Sequence, residues 1–323
     1  METSAHTLLV TLWFCILGLM LAAYVVTDGF DLGIGILSLF VPERDRRDVM
    51  IESIAHVWDA NETWLVVLGG GLFGAFPAAY ATLLPQLYLP LMALIAGLIM
   101  RGAAIEFRHA THRGPFWDRV FGIGSLLAAV AQGVILGRII TGLAPGAWNA
   151  VFTLVAAVGV VAGYALLGAT YLIKKTSYPV EATARNWTLT ALPVTVVSAL
   201  VLSGATLRLS LIGTERWHQH GVLAVLLVLG LAAALAVAYI AGSTWTGGRR
   251  APFRATVLLF LVSFGGRAIS LFPYVVPGRL SLADAASDDR TLVFMLIGIG
   301  VLLPVMLGYN LYQYHVFRGK VPA

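Results

Sequence analysis

Long apolar runs separated by short polar connections make up most of this chain. A helix that crosses a bilayer needs about 20 mostly apolar residues. By this criterion the pattern predicts nine membrane-spanning helices. Their approximate ranges are residues 8–40, 50–75, 79–101, 119–141, 147–173, 187–207, 221–241, 255–276 and 291–316. We therefore predict an all-α, polytopic membrane helical bundle that forms one integral-membrane domain over residues 1–323.

The second predicted span is the least apolar of the nine, because it contains His56, Asp59, Asn61 and Glu62. Eight spans are therefore an alternative. The distribution of arginine and lysine favours nine, since most of the positive charge falls in the connections that follow odd-numbered spans. Positively charged loops stay in the cytoplasm. This pattern predicts an outside N-terminus and a cytoplasmic C-terminus.

Composition excludes several other classes of protein. The chain is 59% hydrophobic and 11% charged, whereas soluble domains carry about 25% charged residues. The net charge of +5 is spread over loops without a basic motif interleaved with aromatics, so no nucleic-acid partner is expected. Cys15 is the single cysteine, which excludes a disulfide within the chain. No histidine pair has convincing zinc-site spacing, and we expect no metal site.

Acidic residues inside the first two spans are the main candidates for function. Asp28 and Asp31 lie in the first span, and Asp59, Asn61 and Glu62 lie in the second. An ionised group near the bilayer centre costs about 2.5–3.5 kcal/mol, so such residues usually face a protein interior or a water-filled path. Counting helical rise from the shared cytoplasmic end places both sets about 15 Å inside the membrane. We expect one buried polar cluster at a common depth.

Four neighbouring carboxylates cannot all remain ionised without a proton, a cation or a basic partner. Arg267, at similar depth in the eighth span, is the predicted partner for Asp28 and Asp31. A hydrated proton-conducting cluster is the favoured interpretation. A polar network that only locks helices together and a specific cation site are the alternatives. Haem ligation by His56 is less favoured, because a single intramembrane histidine is more often hydrogen-bonded than metal-bound.

Glycines are frequent in the same two spans. Gly29 and Gly33 form a small-xxx-small pair, and Gly69, Gly70, Gly71 and Gly74 crowd the second span. Such residues let helices pack closely in lipid. A phosphate-binding loop is a weak alternative, because no strand precedes these glycines.

Four segments resemble subunit II of the cytochrome bd-type quinol oxidases. They are TDGFDLGIGIL at 27–37, WDANETWLVVLGGGLFGAFP at 58–77, FPYVVP at 272–277 and LPVMLGYNLYQYHVFRGK at 303–320. The last is similar to the cyanide-insensitive branch in particular. The resemblance implies a nine-helix subunit paired with subunit I in the bacterial inner membrane. It also implies an electrogenic complex that oxidises membrane quinol and reduces dioxygen to water, with protons drawn from the cytoplasm.

The resemblance further implies where the cofactors and the proton path lie. Low-spin haem b, high-spin haem b and haem d belong to subunit I, so this chain is expected to bind none of them and to have no catalytic residue of its own. Membrane lipid, quinone and a small accessory subunit are further potential partners. Asp59 and Glu106 match acids on the family's proton path, and Trp64 is implied near the oxygen route. We expect Asn61 and Glu62 to support the same proton path.

Other features of the resemblance are less direct. Asp28 and Asp31 match the first motif without a settled role. His56 stands where the family has a proline. Two other functions remain open at this point: an ion-coupled secondary transporter with midplane acids, and a purely structural partner subunit.

Overall fold

The computed structural model describes residues 2–110, 114–209 and 219–321. These residues form twelve helices and one two-stranded antiparallel hairpin, which confirms the all-α prediction. In chain order the elements are α1 Glu2–Ser38, α2 Arg44–Glu52, α3 Trp58–Ala75, α4 Pro77–Gln86, α5 Tyr88–Ala110, α6 Gly114–Ile140, α7 Ala147–Lys175, α8 Val180–Leu209, α9 His220–Trp245, α10 Ala251–Leu271, β1 Tyr274–Val276, β2 Leu280–Ser281, α11 Leu282–Ala285 and α12 Asp289–Val316.

Within the described ranges, eight helices are long and apolar enough to cross a membrane. These are α1, α5, α6, α7, α8, α9, α10 and α12. Helices α3 and α4 pass the same test only as a pair, and they are bent by 120° at their junction. Counted as one broken span, the pair brings the total to nine, as predicted. The side on which each end lies stays a prediction.

Two predicted span boundaries are wrong. The second span does not begin at residue 50, because residues 44–52 form the short polar helix α2 and the apolar helix α3 begins at Trp58. The third span begins at Tyr88 instead of residue 79, because α4 intervenes. Pro77 explains the bend before α4: it has no backbone N–H and cannot continue the helical hydrogen bonding of α3.

Helix α1 lies at the centre of the first half of the chain and packs against α3, α6 and α7. A Cβ atom on Gly33 would collide with the carbonyl oxygen of Tyr164, and one on Gly168 would lie 2.6 Å from the Gly33 carbonyl carbon. The backbones of α1 and α7 therefore touch at this level. The predicted close packing at Gly29 and Gly33 is confirmed.

The glycines of α3 behave differently from the prediction. Gly71 and Gly74 face the side chains of Leu17 and Met295. At Gly69 and Gly70, an added Cβ atom would have no neighbour within 4 Å in the described part of the chain. Close packing within this chain is thus limited to one face of α3. The other face is exposed.

The C-terminal segment is anchored beside the end of α7. The Lys175 ammonium donates hydrogen bonds to the carbonyls of Phe317 (2.5 Å) and Gly319 (2.8 Å). The Lys320 ammonium donates to the Thr176 carbonyl at 2.7 Å. These bonds fix the end of α12 next to the α7–α8 connection.

Candidate functional site

Arg101 on α5 is the basic partner of the intramembrane acids. Its side chain is fully buried between α1 and α3. One guanidinium nitrogen donates a short hydrogen bond to Asp28, and another donates to Glu62 Oε2 at 3.2 Å. Asp28 is fully buried, and the Glu62 side chain is 24% exposed. We call Asp28, Glu62 and Arg101 the acid–arginine cluster.

Arg267 does not take part in this cluster, so the predicted pairing of Arg267 with Asp28 and Asp31 is wrong. Its guanidinium donates to Thr206 Oγ1 at 2.9 Å and to Ser203 Oγ at 3.3 Å. No carboxylate of the described ranges lies within 4.0 Å of it. Helical rise along the sequence gave its depth, but depth does not determine which neighbouring helix the side chain faces.

Asp31 belongs to a second set of contacts that joins α1, α3 and α12. Asn61 Nδ2 donates to Asp31 Oδ2 at 2.7 Å and to the Thr27 carbonyl at 3.3 Å. The Tyr314 hydroxyl donates to Asn61 Oδ1 at 2.6 Å. We call Asp31, Asn61 and Tyr314 the Asn61 chain. Tyr314 was missed by sequence reasoning, because a tyrosine near the end of a span is typical of an interfacial anchor.

The two sets together contain more acidic than basic groups. Asp28, Asp31 and Glu62 are three carboxyls, and Arg101 is the one basic side chain hydrogen-bonded to any of them in the described structure. Asp28 Oδ2 and Asp31 Oδ1 are buried without a hydrogen-bond partner there. An unpaired buried charge is strongly destabilising. The arrangement therefore favours a proton on at least one of the three carboxyls.

Hydrogen bonding also continues one turn above Asp28. Gln132 on α6 donates from Nε2 to the Tyr24 hydroxyl at 2.9 Å. The Tyr164 hydroxyl on α7 donates to Gln132 Oε1 at 2.5 Å. Gln132 was not singled out from the sequence, although a glutamine in an otherwise apolar span is a signal that could have found it.

Asp59 is not part of the buried cluster, contrary to the expectation that all four acids gather there. It lies in the first turn of α3 and is exposed, because Asn61 occupies the face of α3 that meets α1. Glu106 is also exposed, five residues beyond Arg101 on α5. Trp64 is buried, and its indole N–H has no acceptor within the described residues.

His56 lies in the turn before α3 and is exposed, so it is not inside the helix that was predicted to contain it. Its imidazole stacks on Phe317 with ring centroids 4.5 Å apart, and Nε2 lies 3.3 Å from Glu52. In the described ranges, no three side chains from His, Cys, Asp and Glu converge in a way that could hold a metal ion.

Comparison with known proteins supplies the family. A family model described as cytochrome bd terminal oxidase subunit II matches residues 9–317. The chain is 28% identical to the Bacillus subtilis cytochrome bd ubiquinol oxidase subunit 2, with 96% of each chain covered. It is 26% identical to the Escherichia coli K12 cytochrome bd-I ubiquinol oxidase subunit 2, covering 96% of this chain and 94% of the relative.

A solved structure has the same fold. The bd oxidase from Geobacillus thermodenitrificans contains a chain that matches with a TM-score of 0.75 at 18% identity, covering 97% of this chain and 99% of that one. The family match covers nearly the whole chain and argues against the alternative function as an ion-coupled transporter. The chain belongs to the subunit II family of the cytochrome bd terminal oxidases, which are quinol-oxidising complexes of the bacterial cytoplasmic membrane.

Proposed function

We propose that this chain is the partner of a haem-bearing subunit I in a quinol:oxygen oxidoreductase and gives protons access to that subunit's haems. Low-spin haem b, high-spin haem b and haem d reside in subunit I in this proposal, and the chain alone is not catalytic. One observation carries the proposal. Asp59 is exposed on α3, and the partly exposed Glu62 one turn further on bonds to the buried Arg101.

The contacts of Asn61 set the depth of these groups. Asn61 bonds to the Thr27 carbonyl and to Asp31, which lie about 10–17 Å before the end of α1 by helical rise. Asp59 and Glu62 are within one turn of Asn61. Carboxyls at this depth face a water-filled path or a polar protein surface, because an ionised carboxylate exposed to lipid acyl chains is unfavourable in free energy.

The same face of α3 has the features of a helix-docking surface. Asp59, Thr63, Val66, Gly70 and Phe73 are exposed and follow one another at helical spacing. Val66 is 72% exposed and Phe73 is 62% exposed. Gly70 lets another helix approach closely. A partner subunit over this face would cover the apolar side chains and enclose Asp59 beside Glu62.

In this arrangement each polar residue has a distinct task. Glu106 gathers protons at the side predicted to be cytoplasmic, and Asp59 passes them to Glu62 and towards subunit I. Arg101 holds Glu62 and Asp28 in place, and Asn61 fixes α3 against α1. Trp64, buried among apolar side chains, borders the oxygen route.

Asp59→Asn in the assembled complex tests the relay. The substitution keeps the size of the side chain and removes its titratable proton. We expect quinol oxidase turnover to fall about tenfold or more, with the haem absorption spectrum unchanged. Glu43→Gln is the matched control, because Glu43 is an exposed acid before α2 and faces Arg46 alone in the described structure. Undiminished turnover in Asp59→Asn would remove Asp59 from the path.

Glu106→Gln separates proton access from a purely structural role. Glu106 is exposed and makes no ion pair in the described structure, so we expect its neutralisation to leave assembly intact. We expect slower proton uptake during turnover in this variant. Normal proton uptake in both Glu106→Gln and Asp59→Asn would support the structural alternative.

A further inference from the structure

Three basic residues lie where α7 ends and α10 begins. They are Lys174 in the last turn of α7, Arg250 at the N-cap of α10 and Arg254 in its first turn. Both arginines, together with Lys175, act electrostatically on Lys174. The Lys174 ammonium lies 4.9 Å from the centroid of the Phe253 ring and 5.5 Å from that of Tyr171. These cation–π contacts hold the half-buried lysine at the edge of the apolar region. We call the three residues the Lys174 cluster.

The Lys174 cluster differs from other basic residues on the same side of the bundle. Arg47 and Arg108 both bond to Asp118, and Arg185 and Lys320 both face Glu181. No carboxylate of the described ranges lies within 4.0 Å of a Lys174-cluster side chain. The positive-inside tendency explains charge on this side, but it does not explain three cations placed together without a counter-charge.

An apolar stripe extends from the Lys174 cluster along α10. Leu258 and Leu261 follow Arg254 at one and two helical turns, and they are 48% and 45% exposed. Residues at this spacing lie on one face of a helix. Trp245, 78% exposed at the end of α9, suits the membrane interface. Positive charge and exposed apolar surface thus adjoin at the boundary of the membrane.

We propose that the Lys174 cluster binds the phosphate of an anionic phospholipid headgroup, with an acyl chain along Leu258 and Leu261. Basic groups between transmembrane helices recognise such headgroups. The apolar stripe favours a lipid over a free phosphate ion, because a free ion makes no use of it. The site is separate from the proton path, and its occupancy does not depend on the proposed function.

The test measures lipid binding to the purified oxidase complex in neutral detergent by native mass spectrometry. Dioleoylphosphatidylglycerol is titrated against dioleoylphosphatidylcholine. We expect the wild type to prefer phosphatidylglycerol. Lys174→Gln/Arg254→Gln is expected to bind phosphatidylglycerol about 30-fold more weakly, as the loss of two basic side chains near a charged surface predicts. Arg119→Gln, an exposed arginine on α6, is the matched control and retains wild-type binding.

Two further measurements keep the test decisive. Arg254 is exposed, so Arg254→Gln alone is expected to fold and to weaken binding about fivefold. The charge-conserving variant Lys174→Arg/Arg254→Lys is expected to bind as the wild type does. Equal phosphatidylglycerol affinity in the wild type and in Arg254→Gln would overturn the site. Binding of inorganic phosphate as tight as that of phosphatidylglycerol would overturn the assignment to a lipid.

Discussion

The two halves of the chain differ in the partners of their buried or half-buried arginines. In the first half, α1 to α7, Arg101 and Arg108 are buried and each bonds to two carboxylates. In the second half, α8 to α12, Arg267 bonds to two neutral hydroxyls. Half of the most apolar stretch of α6 is buried, against 6% in α9 and 17% in α12. Among the described residues, the most deeply buried ionic pairs, Arg101–Asp28 and Arg108–Asp118, lie where this chain packs tightly. The second half has only partly exposed pairs around Glu181 and presents more apolar surface.

Helix packing accounts for this difference. Glycines bring α1 against α7 and α5 against α6 until their backbones touch, as at Gly33, Gly97 and Gly124. Such contacts leave no room for lipid or bulk water around Asp28 and Arg101. A charge in that setting needs a charged partner. On the loosely packed second half, the hydroxyl groups of Thr206 and Ser203 are the hydrogen-bond partners of Arg267 in the described structure.

The largest effect expected from this comparison is on stability. Arg101→Met leaves Asp28 buried without its partner, and we expect a loss of about 3–5 kcal/mol in the free energy of unfolding. Arg267→Met removes bonds to neutral groups alone and is expected to cost about 1–3 kcal/mol. Thermal or denaturant unfolding of the complex compares the two. A larger loss for Arg267→Met would contradict the difference between the halves.

A double variant checks the cause of the Arg101 effect. Arg101→Met/Asp28→Leu removes both buried charges, and we expect it to recover much of the lost stability. Failure to recover would mean that Arg101 acts through packing and not through its ion pair.

A smaller effect is expected from backbone contact. Gly33→Ala forces α1 away from α7, because the added methyl group meets the Tyr164 carbonyl. Overpacking of this kind costs about 1–3 kcal/mol. Gly230→Ala on α9 is the matched control, since the added methyl group would have no neighbour within 4 Å in the described structure. There we expect a gain of about 0.5–1 kcal/mol, since alanine favours a helix more than glycine does. Equal responses in unfolding experiments would show that the halves are packed alike.

The smallest effect concerns one of the hydrogen bonds that link the two halves. Tyr314→Phe removes the hydrogen bond from α12 to Asn61 and is expected to cost about 0.5–1.5 kcal/mol. Tyr312→Phe is the control, because Tyr312 is 67% exposed. The two variants are compared by unfolding under identical conditions. Indistinguishable stabilities would mean that the Asn61 chain does not hold α12 in place.

Much of the fold could be predicted from hydropathy alone, because each span is a long apolar run with its own charged connection. The break at Pro77 was missed because apolar residues surround it. Hydropathy averaged over about 20 residues does not reveal the bend. The polar run that forms α2 is visible in the sequence, but the second span was predicted to begin at residue 50, inside the last turn of α2.

The candidate site was predicted less completely. Asp28, Asp31, Asn61 and Glu62 were identified because acids and amides are rare in spans. The predicted basic partner, Arg267, was wrong, and the observed partner is Arg101. Arg101 stands at the end of its predicted span, where an arginine is typical of a loop. The rotation of α3 about its axis decides whether Asp59 faces α1 or the exterior. The hydropathy of this short span does not determine that rotation.

The most direct test of the central claim is steady-state quinol oxidation by the complex carrying Glu62→Gln. Glu62 joins the exposed face of α3 to the buried Arg101. If protons pass along this face, turnover falls about tenfold or more while the haem spectrum and subunit stoichiometry stay unchanged. Wild-type turnover with a neutral Gln at this position would contradict the account.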